Sequence, residues 1–325
     1  MEETTKFLSV KNLTVQYVTT EETVYAVNDV SFDLEKGRTL GLVGETGAGK
    51  TSIARAILRI LPVPPAEVKS GSICLEGKDL MHLSEQEMCR IRGNAITMIF
   101  QDPMTALNPT MKVGKQIAEV IQLHNKCSSK EAQERAMEML EMVGIPRERY
   151  TEYPHQFSGG MKQRVVIAIA LACNPDLLLA DEPTTALDVT IQAQVLDMMR
   201  NLNRKKQTSM ILITHDLGVV AEMCDDVAVI YAGEIVEKGT LEDIFDNPKH
   251  PYTLGLFDAI PNLTDTTDRL KPIHGLPPDP TDLPAGCKFH PRCPYATDAC
   301  KSGEIPTLEV TPGHTCKCLR SKEGK

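Results

Sequence analysis

Apolar and polar positions divide most of the chain into short β-like runs and longer helical stretches. Residues 8–17 and 27–34 alternate with a period of two, which predicts an antiparallel pair of strands. Mostly apolar runs predict buried strands at residues 39–43, 95–100, 176–180 and 209–214. Because strands alternate with helices, we predict an α/β fold whose mainly parallel sheet is covered on both faces.

Helical periodicity fills the gaps between these strands. The pattern predicts helices at residues 51–61, 160–173 and 191–203. Residues 112–143 have a charged face and no glycine or proline except Gly114, so we predict a helical subdomain at about residues 103–173. The composition changes near residue 245, and five prolines within residues 272–284 predict an extended linker. We therefore divide the chain into a main domain, 1–245, and a C-terminal extension, 246–325.

Composition excludes several classes of protein. The 325 residues carry a net charge of −9, only 4% are aromatic and tryptophan is absent. A broad basic surface or an aromatic platform for nucleic acid is therefore not expected. No apolar run reaches the roughly 18 residues of a membrane-spanning helix, and the acidic, polar start does not resemble a signal peptide. We expect a cytosolic protein that reaches a membrane only through a partner.

A glycine-rich loop follows the predicted strand at residues 39–43. The residues Gly44 to Thr51, GETGAGKT, fit the phosphate-binding pattern, in which backbone N–H groups and a helix N-terminus surround phosphate. We expect Lys50 to reach the β- and γ-phosphates and the Thr51 hydroxyl to bind Mg²⁺. A chance glycine-rich turn is disfavoured by the strand before it and the helix after it. The predicted nucleotide-binding residues of this segment are Gly44, Thr46, Gly47, Ala48, Gly49, Lys50, Thr51 and Ser52.

Polar residues end the other predicted buried strands. Asp181 and Glu182 follow residues 176–180, where ligands bind in open α/β sheets. Asp181 is predicted to hold Mg²⁺, and Glu182 to act on the attacking water as general base. His215 and Gln101 end two further strands, and we predict that they contact the γ-phosphate and sense Mg²⁺ or water, respectively. The alternatives for single residues are helix caps for the two carboxylates, a structural histidine and a surface amide; the ordered set of residues favours the nucleotide site.

A turn between these motifs narrows the class of protein. Ser158, Gly159 and Gly160 begin a predicted helix, and Asp188 follows Ala186 and Leu187 further along the chain. From about residue 8 to 239, the order of all these motifs resembles that of the ABC ATPases. The implied fold is a P-loop NTPase with a RecA-like sheet, an antiparallel β subdomain and a helical subdomain, followed here by a small cysteine-rich extension. The resemblance also implies that Tyr17, with Tyr25 as competitor, stacks on adenine.

The resemblance implies that two cassettes sandwich two ATP molecules, each signature turn (158–160) capping the nucleotide of the other subunit. Phe157 stands where the family usually has leucine, an apolar exchange that leaves the site intact. Residues 100–109, 153–161 and 250–253 are similar to the ATP-binding subunits of dipeptide, oligopeptide and nickel importers, and residues 61–80 to the first, or D, type. The implied partners are a sister cassette or a second copy of this chain, two membrane permease subunits and, indirectly, an extracytoplasmic peptide-binding protein.

Four cysteines crowd into the extension: Cys287, Cys293, Cys300 and Cys318. No pair has the C-x2-C spacing of an ordinary zinc ribbon, and a double disulfide is disfavoured in a reducing cytosol. Four thiolates suit a [4Fe–4S] cluster or Zn²⁺, with unliganded thiols as the third alternative. The subfamily resemblance implies an iron–sulfur cluster here, and its spacing favours Cys318 over Cys316 as the fourth ligand. We expect a structural cross-link for a short tail.

The sequence therefore predicts an ATPase on the cytoplasmic face of a membrane that energises import of di- or oligopeptides. A nickel or other solute importer would use the same ATPase role. Two other hypotheses are a soluble ABC protein that acts on DNA or ribosomes and an iron-sensing regulatory module. The first usually has a coiled-coil insertion or tandem cassettes, and this chain has neither; the second would change its ATPase activity with the oxidation state of a cluster.

Overall fold

The computed structural model describes residues 6–184, 187–259 and 272–323. Ala186 of the predicted D-loop motif and the first five residues of the chain lie outside these ranges. The strands are β1 (Leu8–Val18), β2 (Thr23–Leu34), β3 (Thr39–Val43), β4 (Ala66–Leu75), β5 (Lys78–Asp79), β6 (Ile96–Ile99), β7 (Leu177–Asp181), β8 (Ser209–Thr214), β9 (Asp226–Tyr231), β10 (Glu234–Thr240), β11 (Leu308–Thr311) and β12 (His314–Cys316). The α-helices are α1 (Lys50–Ile57), α2 (Glu85–Ile91), α3 (Pro103–Ala106), α4 (Val113–His124), α5 (Ser129–Met142), α6 (Gly159–Leu171), α7 (Val189–Lys206), α8 (Leu217–Met223), α9 (Leu241–Asp246) and α10 (Pro251–Asp258).

The chain forms two compact units, and neither is continuous in sequence. The first unit comprises residues 1–8, 34–39 and 75–223, and the second comprises residues 9–33, 40–74 and 224–325. The extension after residue 246 therefore belongs to the same unit as the glycine-rich loop. The division at residue 245 is not tested by this partition and stays a prediction.

A parallel set of strands forms the core of the first unit. Strand β7 pairs with β6 on one side and β8 on the other, and every residue of these strands is buried. This burial on both faces explains why the strands read as continuous apolar runs rather than alternating ones. The parallel strands predicted at residues 95–100, 176–180 and 209–214 thus appear within a residue or two of their predicted bounds.

The predicted helical subdomain contains α3 to α6. The helical stretch at residues 112–143 is divided into α4 and α5, because a capping box begins α5. The Ser128 hydroxyl accepts the Glu131 N–H, and the Glu131 carboxylate accepts the Ser128 N–H. The predicted helix at residues 51–61 is shorter, since α1 ends at Ile57 and Arg59 adopts a left-handed φ of 52°. Local capping and turn chemistry, rather than the apolar pattern, set these boundaries.

The second unit contains its own run of strands. Strand β3 runs parallel to β9, and the antiparallel pairs β9–β10, β10–β12 and β12–β11 follow in order. The extension therefore contributes two strands, β11 and β12, to the sheet that carries β3. The prolines at 272–284 lie in a segment without helix or strand, as the sequence predicts.

A buried carboxylate fastens the extension to this sheet. Both Glu237 on β10 and His314 on β12 have side chains with no exposed surface, and His314 Nε2 lies 2.8 Å from Glu237 Oε1. The Glu237 carboxylate also accepts the backbone N–H groups of Lys249, at 2.7 Å, and His250, at 2.9 Å. One carboxylate thus joins β10, β12 and the start of α10, and its partners offset the cost of its burial.

His250 is a fully buried histidine that caps α10. Its Nδ1 accepts the backbone N–H of Tyr252 at 3.1 Å, so this nitrogen carries no proton. Burial lowers the pKa of His250 to about 3. The folded protein therefore keeps His250 neutral at pH values where the unfolded chain already binds a proton.

This difference predicts a pH-dependent stability. Between pH 6.5 and about pH 3 the unfolded state binds one more proton at this site, so the free energy of unfolding falls as the pH falls. From pH 7.5 to pH 5 the loss due to His250 should be about 2 kcal/mol. His250→Asn retains a capping oxygen without a titrating ring and should lack this loss in urea unfolding. An identical pH dependence for the two proteins would contradict the assignment.

Candidate functional site

Polar side chains meet at the carboxyl ends of the parallel strands of the first unit. The register pairs Ile99 of β6 with Ala180 of β7, and Asp181 of β7 with Ile213 of β8. The chain therefore leaves all three strands at the same level, where ligands bind in open α/β sheets. The structure brings together Gln101, Glu182 and His215, three of the predicted catalytic residues.

Glu182 is the centre of this cluster. Its Oε2 accepts a hydrogen bond from Gln101 Nε2 at 3.0 Å, and its Oε1 lies 3.1 Å from His215 Nδ1. Because a carboxylate can only accept, His215 donates from Nδ1 in this contact. The Glu182 side chain is 11% exposed and that of His215 is 58% exposed. The Glu182 carboxylate is thus held by two side chains and largely buried, whereas the His215 ring is accessible.

The backbone at Glu182 adopts an unusual conformation. Its φ is 46°, in the left-handed region that is uncommon for a residue other than glycine. The Glu182 N–H donates to Ile213 O at 2.8 Å, which fixes this turn against β8. Asp181, the preceding residue, is 3% exposed at the end of β7. The turn thus places two successive carboxylates at the carboxyl end of β7.

The signature turn begins α6 in the same unit. Ser158 is the N-cap, and its hydroxyl accepts the N–H of Met161 at 3.4 Å. A Cβ at Gly159 would meet nothing within 4 Å, so the turn is open on that side. Phe157 is buried, with the Arg149 guanidinium 4.4 Å from its ring centre. The exchange of leucine for phenylalanine is therefore accommodated by local packing.

The signature helix is tied to the loop after Glu182. Gln163 on α6 is 2% exposed and donates to Pro183 O at 2.5 Å. Asp188 is the N-cap of α7 and accepts the N–H of Ile191 at 3.0 Å. The sequence motifs did not single out Gln163, because a glutamine within a helix carries no distinctive spacing. Its contact makes it a positioning group for this loop.

The phosphate-binding loop lies in the second unit between β3 and α1. Gly44 and Gly49 have φ values of 157° and 98°, and a Cβ at either would lie 2.1 Å from a backbone oxygen. Only glycine fits these two positions. Lys50 is 6% exposed, and its Nζ donates to Gly44 O at 2.7 Å and to Glu45 O at 2.9 Å. The loop thus forms a closed turn around its own lysine.

Two tyrosines lie near this loop. The Tyr17 hydroxyl is 3.0 Å from Ser52 Oγ in the first turn of α1. Tyr25 is 37% exposed and lines a cavity of about 150 Å³ together with loop residues and prolines of the linker. Tyr17 is therefore tied to the helix that follows the loop, whereas Tyr25 lies against the linker.

The four clustered cysteines share one cavity in the extension. Cys287, Cys293, Cys300 and Cys318 line a space of about 460 Å³, whereas Cys316 is fully buried on β12 and does not. Burial raises the pKa of the Cys287 thiol to about 11 and also raises the pKa of Cys293 and Cys318. Across the described ranges, no group of three or more His, Cys, Asp or Glu side chains is placed to hold a metal ion. No disulfide forms among the ten cysteines.

The structure also contains a contact that the motifs did not predict. Arg292 of the extension forms a two-pronged ion pair with Glu45 of the phosphate-binding loop, with N–O distances of 2.7 and 3.0 Å. The Tyr252 hydroxyl accepts the Glu45 N–H at 2.9 Å. These residues lie more than 200 positions apart, so local sequence patterns hold no signal for their contact.

Comparison with solved structures identifies the architecture. The dimeric structure of MJ0796, a bacterial ABC transporter cassette, matches with a TM-score of 0.66 and 27% identity, over 72% of this chain and 98% of that one. The family described as ABC transporter matches residues 27–185, and the family described as oligopeptide/dipeptide transporter, C-terminal region, matches residues 236–300. The fold and its loops define an ABC transporter ATPase, which confirms the predicted cassette fold.

Two relatives narrow the family. The oligopeptide transport ATP-binding protein OppD of Bacillus subtilis (strain 168) is 54% identical over 316 residues, 96% of this chain and 88% of that protein. The dipeptide transport ATP-binding protein DppD of the same organism is 52% identical over 315 residues, 96% of this chain and 94% of that protein. The chain belongs to the ATP-binding proteins of the oligopeptide and dipeptide ABC transporters, and it is an ATPase. No helix within the described ranges is long and apolar enough to cross a membrane.

The geometry of the phosphate-binding loop predicts unequal effects of two glycine substitutions. Gly47 and Gly49 both have left-handed φ values, 83° and 98°, but a Cβ at Gly47 meets nothing within 4 Å while one at Gly49 meets Ala26 O at 2.1 Å. Gly47→Ala should cost about 1 to 3 kcal/mol for the backbone strain alone. Gly49→Ala should cost more and should abolish ATP binding. Urea unfolding and ATP titration measure both, and equal losses of stability would contradict the predicted clash.

Proposed function

We propose that this chain is the ATP-hydrolysing subunit that energises the import of di- and oligopeptides through an ABC transporter. The names of the relatives, which are oligopeptide and dipeptide transport ATP-binding proteins, support peptides as the transported class. The C-terminal match to the oligopeptide/dipeptide transporter family adds independent support from a different part of the chain. A nickel or other solute importer is the alternative that a transport assay distinguishes.

The observation that carries the catalytic proposal is the cluster around Glu182. Gln101 and His215 each hold one carboxylate oxygen, at 3.0 and 3.1 Å, so the orientation of Glu182 is set before a substrate arrives. We assign Glu182 as the general base or polariser of the attacking water. His215, whose Nδ1 is engaged by Glu182, offers Nε2 to the γ-phosphate. Through its hydrogen bond, Gln101 links the orientation of the Glu182 carboxylate to the loop that follows β6.

The phosphate-binding loop supplies the substrate contacts. On binding ATP, we propose that Lys50 exchanges its bonds to Gly44 O and Glu45 O for the β- and γ-phosphates. The glycine N–H groups and the start of α1 then surround the phosphate oxygens. Tyr17 stacks on adenine, since its hydroxyl bond to Ser52 holds it beside the first turn of α1. The Mg²⁺ ion, held by Thr51, Asp181 and Gln101, would neutralise phosphate charge.

A second cassette completes the site. Ser158, Gly159 and Gly160 form a capped, open helix start, which is suited to bind the anionic nucleotide of the other subunit. Asp188 caps α7 next to this turn and would follow its movement. The MJ0796 cassette, solved as a dimer bound to ADP and Pi, is the precedent for a dimer of cassettes. The second cassette is a sister subunit or another copy of this chain.

The ATPase would act on the cytoplasmic face of the membrane. Two permease subunits dock near the Gln101 loop, and closure of the cassette dimer on ATP moves them, while hydrolysis reopens the dimer. The transported peptide reaches the permease from an extracytoplasmic binding protein. The net charge of −9 and the low aromatic content support transport rather than a role on nucleic acid.

The cysteine cavity is proposed as the site of a [4Fe–4S] cluster. Four thiols facing one space of about 460 Å³ match the four cysteine ligands of such a cluster. A single Zn²⁺, which binds cysteine sulfurs at about 2.3 Å, is the alternative for the same four thiols. When bound, the cluster would cross-link the extension and hold the four sulfurs as thiolates.

Replacing Glu182 by Gln tests the catalytic proposal. The amide retains the size of the side chain but not its basicity, so hydrolysis by the assembled transporter should fall at least about 100-fold, while ATP stays bound and the dimer stays closed. Steady-state phosphate release and retained nucleotide measure the two effects. Glu222→Gln, on α8 beside Arg200, is the matched control and should be unaffected. Hydrolysis by the Glu182→Gln transporter at the wild-type rate would remove Glu182 from the base role.

Metal analysis tests the cluster proposal. Anaerobically purified protein should contain about four irons and matching sulfide per chain. Cys318→Ser should lose this iron, whereas Cys316→Ser, which alters a buried thiol outside the cavity, should retain it. Stoichiometric zinc without iron would refute the cluster, and iron loss only in Cys316→Ser would reassign the fourth ligand.

A further inference from the structure

An acidic side chain in a phosphate-binding loop requires an explanation. Glu45 occupies the first variable position of the loop, directly after Gly44. The loop works by directing N–H groups and a lysine at a polyanion, and a nearby carboxylate opposes that field. In this chain the carboxylate does not stand alone, because Arg292 of the extension pairs with it.

The Arg292–Glu45 pair has the geometry of a strong interaction. Arg292 Nη1 lies 2.7 Å from Glu45 Oε2, and Nη2 lies 3.0 Å from Glu45 Oε1. This two-pronged arrangement matches the planar guanidinium to the planar carboxylate. The Arg292 side chain is 5% exposed and that of Glu45 is 29% exposed, so solvent screens the pair less than a surface ion pair.

Arg292 is held by groups of the extension and by Tyr231 of β9. Its Nε donates to His274 O at 3.1 Å, its Nη2 to Ile273 O at 3.4 Å, and its Nη1 lies 3.3 Å from the Tyr231 hydroxyl. The guanidinium carbon is 6.0 Å from the ring centre of Phe289. Each guanidinium nitrogen therefore has a partner, and the side chain is held before nucleotide binds.

The extension contacts the loop at further points. The Tyr252 hydroxyl accepts the N–H of Glu45 at 2.9 Å, so both the backbone and the side chain of this residue are tied to C-terminal segments. Tyr252 packs against Tyr231 and Phe289, with ring centres 4.6 and 5.4 Å apart. Prolines 277, 278 and 280 line a small cavity with loop residues 45–48. The loop is thus supported by chain that follows residue 246.

From these contacts we propose that Arg292 is a positioning residue for ATP binding, which neutralises and anchors Glu45 of the phosphate-binding loop. The inference rests on the assignment of this loop to ATP. With Arg292 in place, the Glu45 carboxylate is directed to the guanidinium and does not compete with phosphate for Lys50. The C-terminal extension is then part of the nucleotide site rather than a separate appendage.

Charge removal in both partners provides the test. In the full-length chain, Arg292→Gln should weaken ATP binding about tenfold or more, since it leaves the Glu45 charge unpaired beside the polyanion. Glu45→Gln/Arg292→Gln should bind ATP more tightly than Arg292→Gln and within about threefold of Glu45→Gln, because the charge that Arg292 neutralises is absent from both. ATP titration by calorimetry measures the affinities, and KM against kcat in the assembled transporter should show the loss mainly in KM.

A matched control separates this role from support of the fold. Lys317 of the extension pairs with Glu234 at 2.9 Å rather than with a loop carboxylate, so Lys317→Gln should bind ATP normally. If Arg292→Gln binds ATP like wild type, or if adding Glu45→Gln restores nothing, the proposal is wrong. Failure of wild type itself to bind ATP would instead overturn the ATPase assignment.

Discussion

The buried Glu237 carboxylate is the constraint on which the second unit depends. It lies in β10 and accepts hydrogen bonds from β12, through His314, and from the two backbone N–H groups that precede α10. Since a buried carboxylate without partners is very costly, these segments can assemble only in the arrangement that satisfies it. The same carboxylate fixes the start of α10, and Tyr252 of that helix accepts the N–H of Glu45 in the phosphate-binding loop.

This constraint gives the extension a place in ATP chemistry. A chain with a net charge of −9 must bind a nucleotide that is itself strongly negative. The phosphate-binding loop offers glycine N–H groups and Lys50 to the phosphates, yet it also contains the negatively charged Glu45. A guanidinium supplied from the extension removes that conflict at short range, where a single charge matters more than the total charge of the protein. Arg292 directly precedes Cys293, so the segment that supports the loop also borders the cysteine cavity.

Local sequence patterns predict the elements of this structure better than their long-range contacts. The strands β6, β7 and β8 follow from apolar runs, and Glu182 and His215 from their positions at strand ends, because chain direction alone brings those ends together. The break between α4 and α5 depends on Ser128 as the N-cap of α5, and the apolar pattern alone does not show this cap. Sequence spacing does not predict the pairs Glu45–Arg292 and Glu237–His314, since each depends on how distant segments pack.

The backbone at Glu182 shows how the fold would prepare the proposed catalytic group. A left-handed φ of 46° costs free energy in a residue with a side chain, and the bond from its N–H to Ile213 O helps to offset that cost. The side chain is then held by Gln101 and His215 rather than left to sample rotamers. In the proposed mechanism, this preorganisation places the carboxylate before ATP arrives, so binding energy would be used to close a cassette dimer instead of to orient the base.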